Sequence, residues 1–216
     1  GDVDLTIANA NEIIESLTNV VLPKILKKYD SINYSLEGEQ QEQGDNLKSL
    51  GKNFILAMIV VYMLLAIPFK SYFQPLVVMS SIPFGVTGAV MGHIIMGMNL
   101  SVLSMMGIVA LTGVVVNDSL VMVDFINRYR KEGNTIKQSV LEAGPRRFRP
   151  IFLTSLTTFV GLVPLILEKS TQAKFIIPMA VSLSFGVLFA TAITLLLVPV
   201  SYLTLEKYIL KTEENK

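Results

Sequence analysis

The chain has 216 residues, of which 51% are hydrophobic and only 16% charged, with a net charge of +1. Soluble domains carry about a quarter charged residues, so this composition, with a mean hydropathy of +0.56, points to a membrane protein, and the near-neutral balance gives no support to nucleic-acid binding. The lack of cysteine excludes a disulfide framework and a thiolate metal site. Gly1 opens no basic-then-apolar leader, and the expectation is a fragment whose upstream part is missing.

The first 46 residues are polar and mixed. Asp2 to Ile7 alternate polar and apolar side chains, as a half-buried strand does. Ile13, Ile14, Leu17, Val20, Val21, Leu22, Ile25 and Leu26 then recur at helical spacing, predicting an amphipathic helix kinked at Pro23. A second alternating run, Ile32 to Glu37, predicts another strand. The expected piece is a small strand-helix-strand α+β unit, too short to bury a core of its own.

Residues 47–210 hold five apolar stretches, each near the ~20 residues that cross a bilayer. They run over about 50–69, 76–98, 102–125, 150–167 and 176–205, with a tail at 211–216. The fold class expected is therefore mainly α, a polytopic membrane bundle of five transmembrane helices. Lys and Arg placement sets the orientation. Arg128, Arg130, Lys131, Lys137, Arg146, Arg147 and Arg149 lie between the third and fourth stretches, against Glu132 and Glu142. That connection is expected in the cytoplasm, with the carboxy terminus on the same side and the amino-terminal unit outside.

The third stretch reads Gly113-Val-Val-Val-Asn117-Asp118-Ser119, with Asp124 six residues beyond Asp118. An ionised carboxylate near mid-membrane costs several kcal/mol unless it is paired or hydrated, so Asp118 is expected to face the bundle interior or a wet cavity. Asn117 and Asp124 fall about two turns apart on one stripe, Asp124 near the cytoplasmic end. Two readings stay open for Asn117 and Asp118: a functional polar site, or interhelical hydrogen bonds that only hold helices together. Pro150 suits a first helical turn, and Thr154 lies one turn beyond it on the side of Arg147. Thr154 is a candidate, against the simpler reading of a hydroxyl bonded to its own helix. Gly85, Gly88, Gly92, Gly107 and Gly113 are expected to let helices approach closely. His93, alone of its kind, builds no metal site and reads as a polar interfacial residue.

Five features in order make the sequence recognisable: Ser35-Leu-Glu37-Gly38-Glu39-Gln40, Ala66-Ile-Pro-Phe-Lys-Ser71-Tyr, Ile82-Pro83-Phe84-Gly85, Gly113-Val-Val-Val-Asn117-Asp118-Ser119 and Arg149-Pro150-Ile-Phe-Leu-Thr154-Ser155. Together they resemble the second half of a resistance-nodulation-division permease along essentially the whole chain. The resemblance implies the end of a periplasmic porter subdomain followed by the last five spans of a bacterial inner-membrane protein. It also implies a missing amino-terminal half, a homotrimer, a periplasmic adaptor and an outer-membrane channel as partners, membrane lipids around the bundle, and no cofactor or resident metal. The activity implied is proton-driven export of small apolar or amphipathic compounds. By motif position a proton relay falls on Asn117, Arg147 and Thr154, with Asp118 beside them and Asp124 as an accessory. In the drug-pump branch a lysine stands where this chain has Asn117, and a neutral amide cannot release a carboxylate by changing charge as an ammonium can.

Two other classes compete. An intramembrane protease needs facing carboxylates or clustered His and Glu, and Asp118 with Asp124 on one helix makes a poor dyad. A cousin that moves lipid or assists protein export would share the same half.

Overall fold

A computed structural model describes residues 10–27 and 39–213. The two expected strands, 2–7 and 32–37, lie outside the described residues, among which there is no strand. The chain divides into two units, residues 1–44 and 45–216.

In the first unit the expected helix is present as α1 (Ala10–Ser16), a π-helical turn (Leu17–Val21) and α2 (Leu22–Leu26). The irregularity falls before Pro23, which lacks the N–H that an unbroken α-helix would use there. The Leu22 N–H reaches back to the Leu17 carbonyl instead, the wider spacing of a π turn. Ile13, Leu17, Val20 and Ile25 are exposed.

Five helices or helix pairs of the remainder are long and apolar enough to cross a membrane, over Gly44–Phe69, Gln74–Met96, Val102–Lys131, Ile136–Ile166 and Ala173–Lys207. They belong to α3 (Glu39–Phe69), α4 (Gln74–Met79) with α5 (Ile82–Met96), α6 (Val102–Lys131), α7 (Ile136–Ile166) and α8 (Ala173–Glu213). The stretch over 76–98 is interrupted at Ser80–Ser81. Pro83 has no N–H for the Met79 carbonyl, and the two serines fold back, Ser80 Oγ donating to Val77 O at 2.7 Å and Ser81 Oγ to Val78 O at 2.6 Å.

Helix ends follow sequence. Gly97, at φ 64°, closes α5, and the Met98 N–H bonds back to the His93 carbonyl at 2.9 Å. Ser101 with Ser104, and Thr135 with Gln138, form capping boxes at the starts of α6 and α7. The long basic connection between the third and fourth stretches is mostly helix. Only residues 132–135 turn, so Arg128, Arg130 and Lys131 end α6, while Lys137 and the three arginines ride on α7. Pro150 accordingly lies well inside α7 rather than in its first turn.

α8 is the centre of the bundle, packed against α5, α6 and α7. Small side chains permit this. A Cβ on Gly107 would come within 2.5 Å of the Met179 carbonyl, and one on Gly92 within 2.5 Å of the Phe185 Cβ. Such close seams replace the hydrophobic drive that lipid removes. α3 and α7 lie outside, with Ile55, Leu56, Leu64, Ile67, Leu153 and Val160 exposed. Apolar side chains in that position suit lipid or further membrane helices.

Candidate functional site

α6 divides into two faces with different chemistry. Met106, Val109, Gly113 and Asn117 are exposed on one side, and a Cβ on Gly113 would meet nothing within 4 Å. Gly113 is thus unlike the other α5 and α6 glycines expected to form close seams. Leu111, Thr112, Val115, Val116, Asp118 and Ser119 are buried on the other side.

Asp118 is 8% exposed. Ser155 of α7 faces its carboxylate, and Ser155 Oγ lies 2.5 Å from Thr191 Oγ1 of α8. One residue along, Ser119 Oγ lies 2.8 Å from Ser81 Oγ. One hydroxyl, Ser155, thus faces the carboxyl inside an apolar bundle, and a second, Thr191, is joined to it. Among the described residues no Lys, Arg or His pairs with Asp118.

The other predicted residues are not gathered around it. Asn117, adjacent in sequence, is exposed on the opposite face. Thr154 is exposed too, and its Oγ1 donates to the Ile151 carbonyl at 2.8 Å, the simpler of its two readings. Arg147 is half-buried with its guanidinium 4.9 Å from the Phe125 ring centroid, and its Nε is buried without a hydrogen-bond partner among the described residues. Arg146 sits similarly over Tyr129, at 5.2 Å. These two cation–π contacts join α7, about three turns from its start, to the last turns of α6. Asp124 accepts from Arg128 one turn on, Nε to Oδ2 being 2.8 Å. No hydrogen bond or ion pair among the described residues joins Asn117, Asp118, Arg147 and Thr154 to one another.

Two polar clusters were not anticipated. His93, in the last turn of α5, is 2% exposed, its Nδ1 3.0 Å from Ala89 O and its Nε2 2.8 Å from Ser104 Oγ. Because a carbonyl only accepts, Nδ1 carries a proton. At the other end of the bundle Tyr202, fully buried, donates to Asn127 Oδ1 at 2.8 Å, and Asn127 donates to Gln74 Oε1 at 2.8 Å. Arg130 Nη1 lies 2.6 Å from Glu206 Oε1 beside them. The signal available was Gln74, Asn127 and Tyr202, polar groups inside apolar stretches. Nothing in a single sequence pairs residues 128 positions apart.

Five helices long and apolar enough to cross a membrane, with a carboxyl buried between them, are the features of a multi-pass membrane protein. The sequence matches the AcrB/AcrD/AcrF family over residues 6–206, and the chain belongs to that family. It is 31% identical over 204 residues to the swarming motility protein SwrC of Bacillus subtilis (strain 168), covering 91% of this chain and 19% of that protein. Two crystal forms of a heavy metal efflux pump have the same fold. Form I has a TM-score of 0.71 at 24% identity, covering 88% of this chain and 19% of the pump chain. Form II has a TM-score of 0.73 at 26% identity, covering 88% and 20%. The chain therefore spans about a fifth of the length of these relatives. Members of this family are transporters, not enzymes in the ordinary sense.

Proposed function

We propose that this chain forms the last five spans of a resistance-nodulation-division efflux transporter, and that protonation of Asp118 couples proton entry to export of small apolar or amphipathic compounds. The observation that carries this reading is the burial of Asp118 against the Ser155 hydroxyl with no cationic partner among the described residues. Hydroxyls serve both forms of the group, donating to a carboxylate and accepting from a carboxylic acid. A carboxyl so placed exchanges its proton when water reaches it and becomes neutral when water leaves, which gives each state of the transporter a different energy.

The exposed stripe of α6, from Met106 through Gly113 to Asn117, is the face on which an amino-terminal half would lie. Asn117 then offers a neutral amide to a carboxyl of that half, while Arg147 and Thr154 line the approach from α7, with Asp124 as an accessory group. The carboxy terminus and the basic α6–α7 turn are cytoplasmic, in the inner membrane. Trimerisation, an adaptor and an outer-membrane channel complete the assembly. Export in intact cells is expected to stop when a protonophore collapses the proton gradient and to persist when sodium is withdrawn. Dependence on sodium alone would refute proton coupling.

A second cargo class is a heavy-metal cation, favoured by the likeness to the heavy metal efflux pump. Among the described residues no group of three His, Cys, Asp or Glu could hold a metal ion, so a metal cargo would be selected elsewhere in the protein. Parallel export assays with a cationic dye and with metal salts separate the two.

A further inference from the structure

Three buried residues on three helices stand in series at the centre of the bundle. Asp118 of α6 is faced by Ser155 of α7, and Ser155 is joined to Thr191 of α8. Thr191 Oγ1 has no other hydrogen-bond partner among the described residues. All of these contacts lie inside the bundle, so what covers its outer faces does not bear on them.

A hydroxyl has one proton to give and two lone pairs with which to accept. The Ser155 proton has three acceptors around it: the Ile151 carbonyl at 3.0 Å, Thr191 Oγ1 at 2.5 Å and the Asp118 carboxylate. Which of them takes it depends on the charge at position 118. An ionised carboxylate only accepts, so Ser155 gives its proton there while accepting from Thr191. The bonds then run in one direction, from Thr191 through Ser155 to Asp118, and each polarises the next. A neutral carboxylic acid donates instead, Ser155 returns its proton to the Ile151 carbonyl, and the directed chain is broken. The Thr191 hydroxyl therefore favours the ionised carboxyl over the neutral one.

No charge competes with this effect. Of the helices packed on α6, α4 brings no titratable group and α5 brings His93, held by Ser104. α7 brings Arg147, held over the Phe125 ring, and α8 brings Tyr202 and Glu206, held by Asn127 and Arg130. On α6 itself Asp124 is taken by Arg128. None of these forms an ion pair with Asp118.

We propose that Thr191 is a positioning residue for the Asp118 proton: acting through Ser155, it steadies the ionised carboxylate and ties that charge state to α8. Because α8 is the helix against which α5, α6 and α7 pack, a bond that tightens there on ionisation reaches the whole bundle. The inference rests on the reading of Asp118 as the coupling group.

The test is infrared titration of the purified full-length protein, following against pH the protonated-carboxyl band that Asp118→Asn removes. Loss of a donor to the charged form makes the proton harder to remove. Thr191→Val is thus expected to move the midpoint to higher pH by roughly half a unit, about threefold in proton affinity, the size of one average interhelical hydrogen bond in a membrane. Thr191→Ser restores the hydroxyl and should restore the midpoint. In a Ser155→Ala background Thr191→Val should add nothing, because its path to the carboxyl is gone. A purely structural Thr191 would lower stability without moving the midpoint. A native midpoint in Thr191→Val, a further half-unit step on top of Ser155→Ala, or the lack of any titrating band lost in Asp118→Asn would each overturn the proposal. Export by cells carrying Asp118→Asn keeps the two levels apart. Lost export alongside a native Thr191→Val midpoint sinks this inference alone, whereas native export removes the coupling role of Asp118 and that of Thr191 with it.

Discussion

Ser155 Oγ and Thr191 Oγ1 stand 2.5 Å apart and join α7 to α8 beside the Asp118 carboxyl. Ser155 also donates to Ile151 O at 3.0 Å, so in that arrangement the Thr191 hydroxyl proton completes the pair. The bond links an outer helix to the central one at the level where the only buried carboxyl among the described residues lies.

Replacing Thr191 with Val keeps the shape and removes that proton. Interhelical hydrogen bonds in membranes average about 0.6 kcal/mol, and Thr191→Val is expected to destabilise by that order. Adding Ser155→Ala should cost less than the sum of the two single changes, because both act on one bond. Thermal unfolding of the full-length protein in detergent checks both statements.

The two α6 glycines make opposite forecasts. Gly107→Ala drives a Cβ against the Met179 carbonyl at the α8 seam, and overpacking of this kind costs about 1–3 kcal/mol. Gly113→Leu enters open space in this bundle, so a stable, well-expressed protein is expected. If the amino-terminal half packs on that stripe, the same leucine abolishes export. Expression level with export rate, measured side by side, separates a fold defect from a docking defect.

Tyr202 is the node of the network at the far end. Tyr202→Phe leaves Asn127 and Arg130 each short of a partner, at an expected cost of about 1–2 kcal/mol. Glu206, 13% exposed, is the counter-ion of Arg130. Glu206→Gln should destabilise by a similar amount, and Arg130→Gln combined with it should recover part of the loss, since the unpaired charge is then gone. Melting temperatures of the three variants form the cycle.

The five spans were legible because ~20-residue apolar runs leave few alternatives. Helix ends were less so. The capping boxes at Ser101 and Thr135 are local signals, but Pro145 and Pro150 inside α7 run against the expectation that proline opens a helix. α7 carries both at exposed positions. The burial of Asp118 followed from the cost of a charge in lipid. The outward position of Asn117 did not, because neighbours ~100° apart share a face only in part, and which side wins is set by α8. The burial of His93 was not legible for a related reason: a position near a helix end says nothing of Ser104, which the turn through Gly97 folds over it. The Arg130–Glu206 pair depends on α8 continuing as helix past Pro199, which the sequence did not require.

Central to the account is a carboxyl at position 118 that gains and loses a proton inside the membrane. The most direct measurement is export by intact cells carrying Asp118→Asn in the full-length protein, with membrane abundance measured in the same cells. The account predicts normal abundance and a loss of export of at least about tenfold, equivalent to ~1.4 kcal/mol of coupling or more. Export at the native rate from a protein that cannot ionise at this position would contradict it.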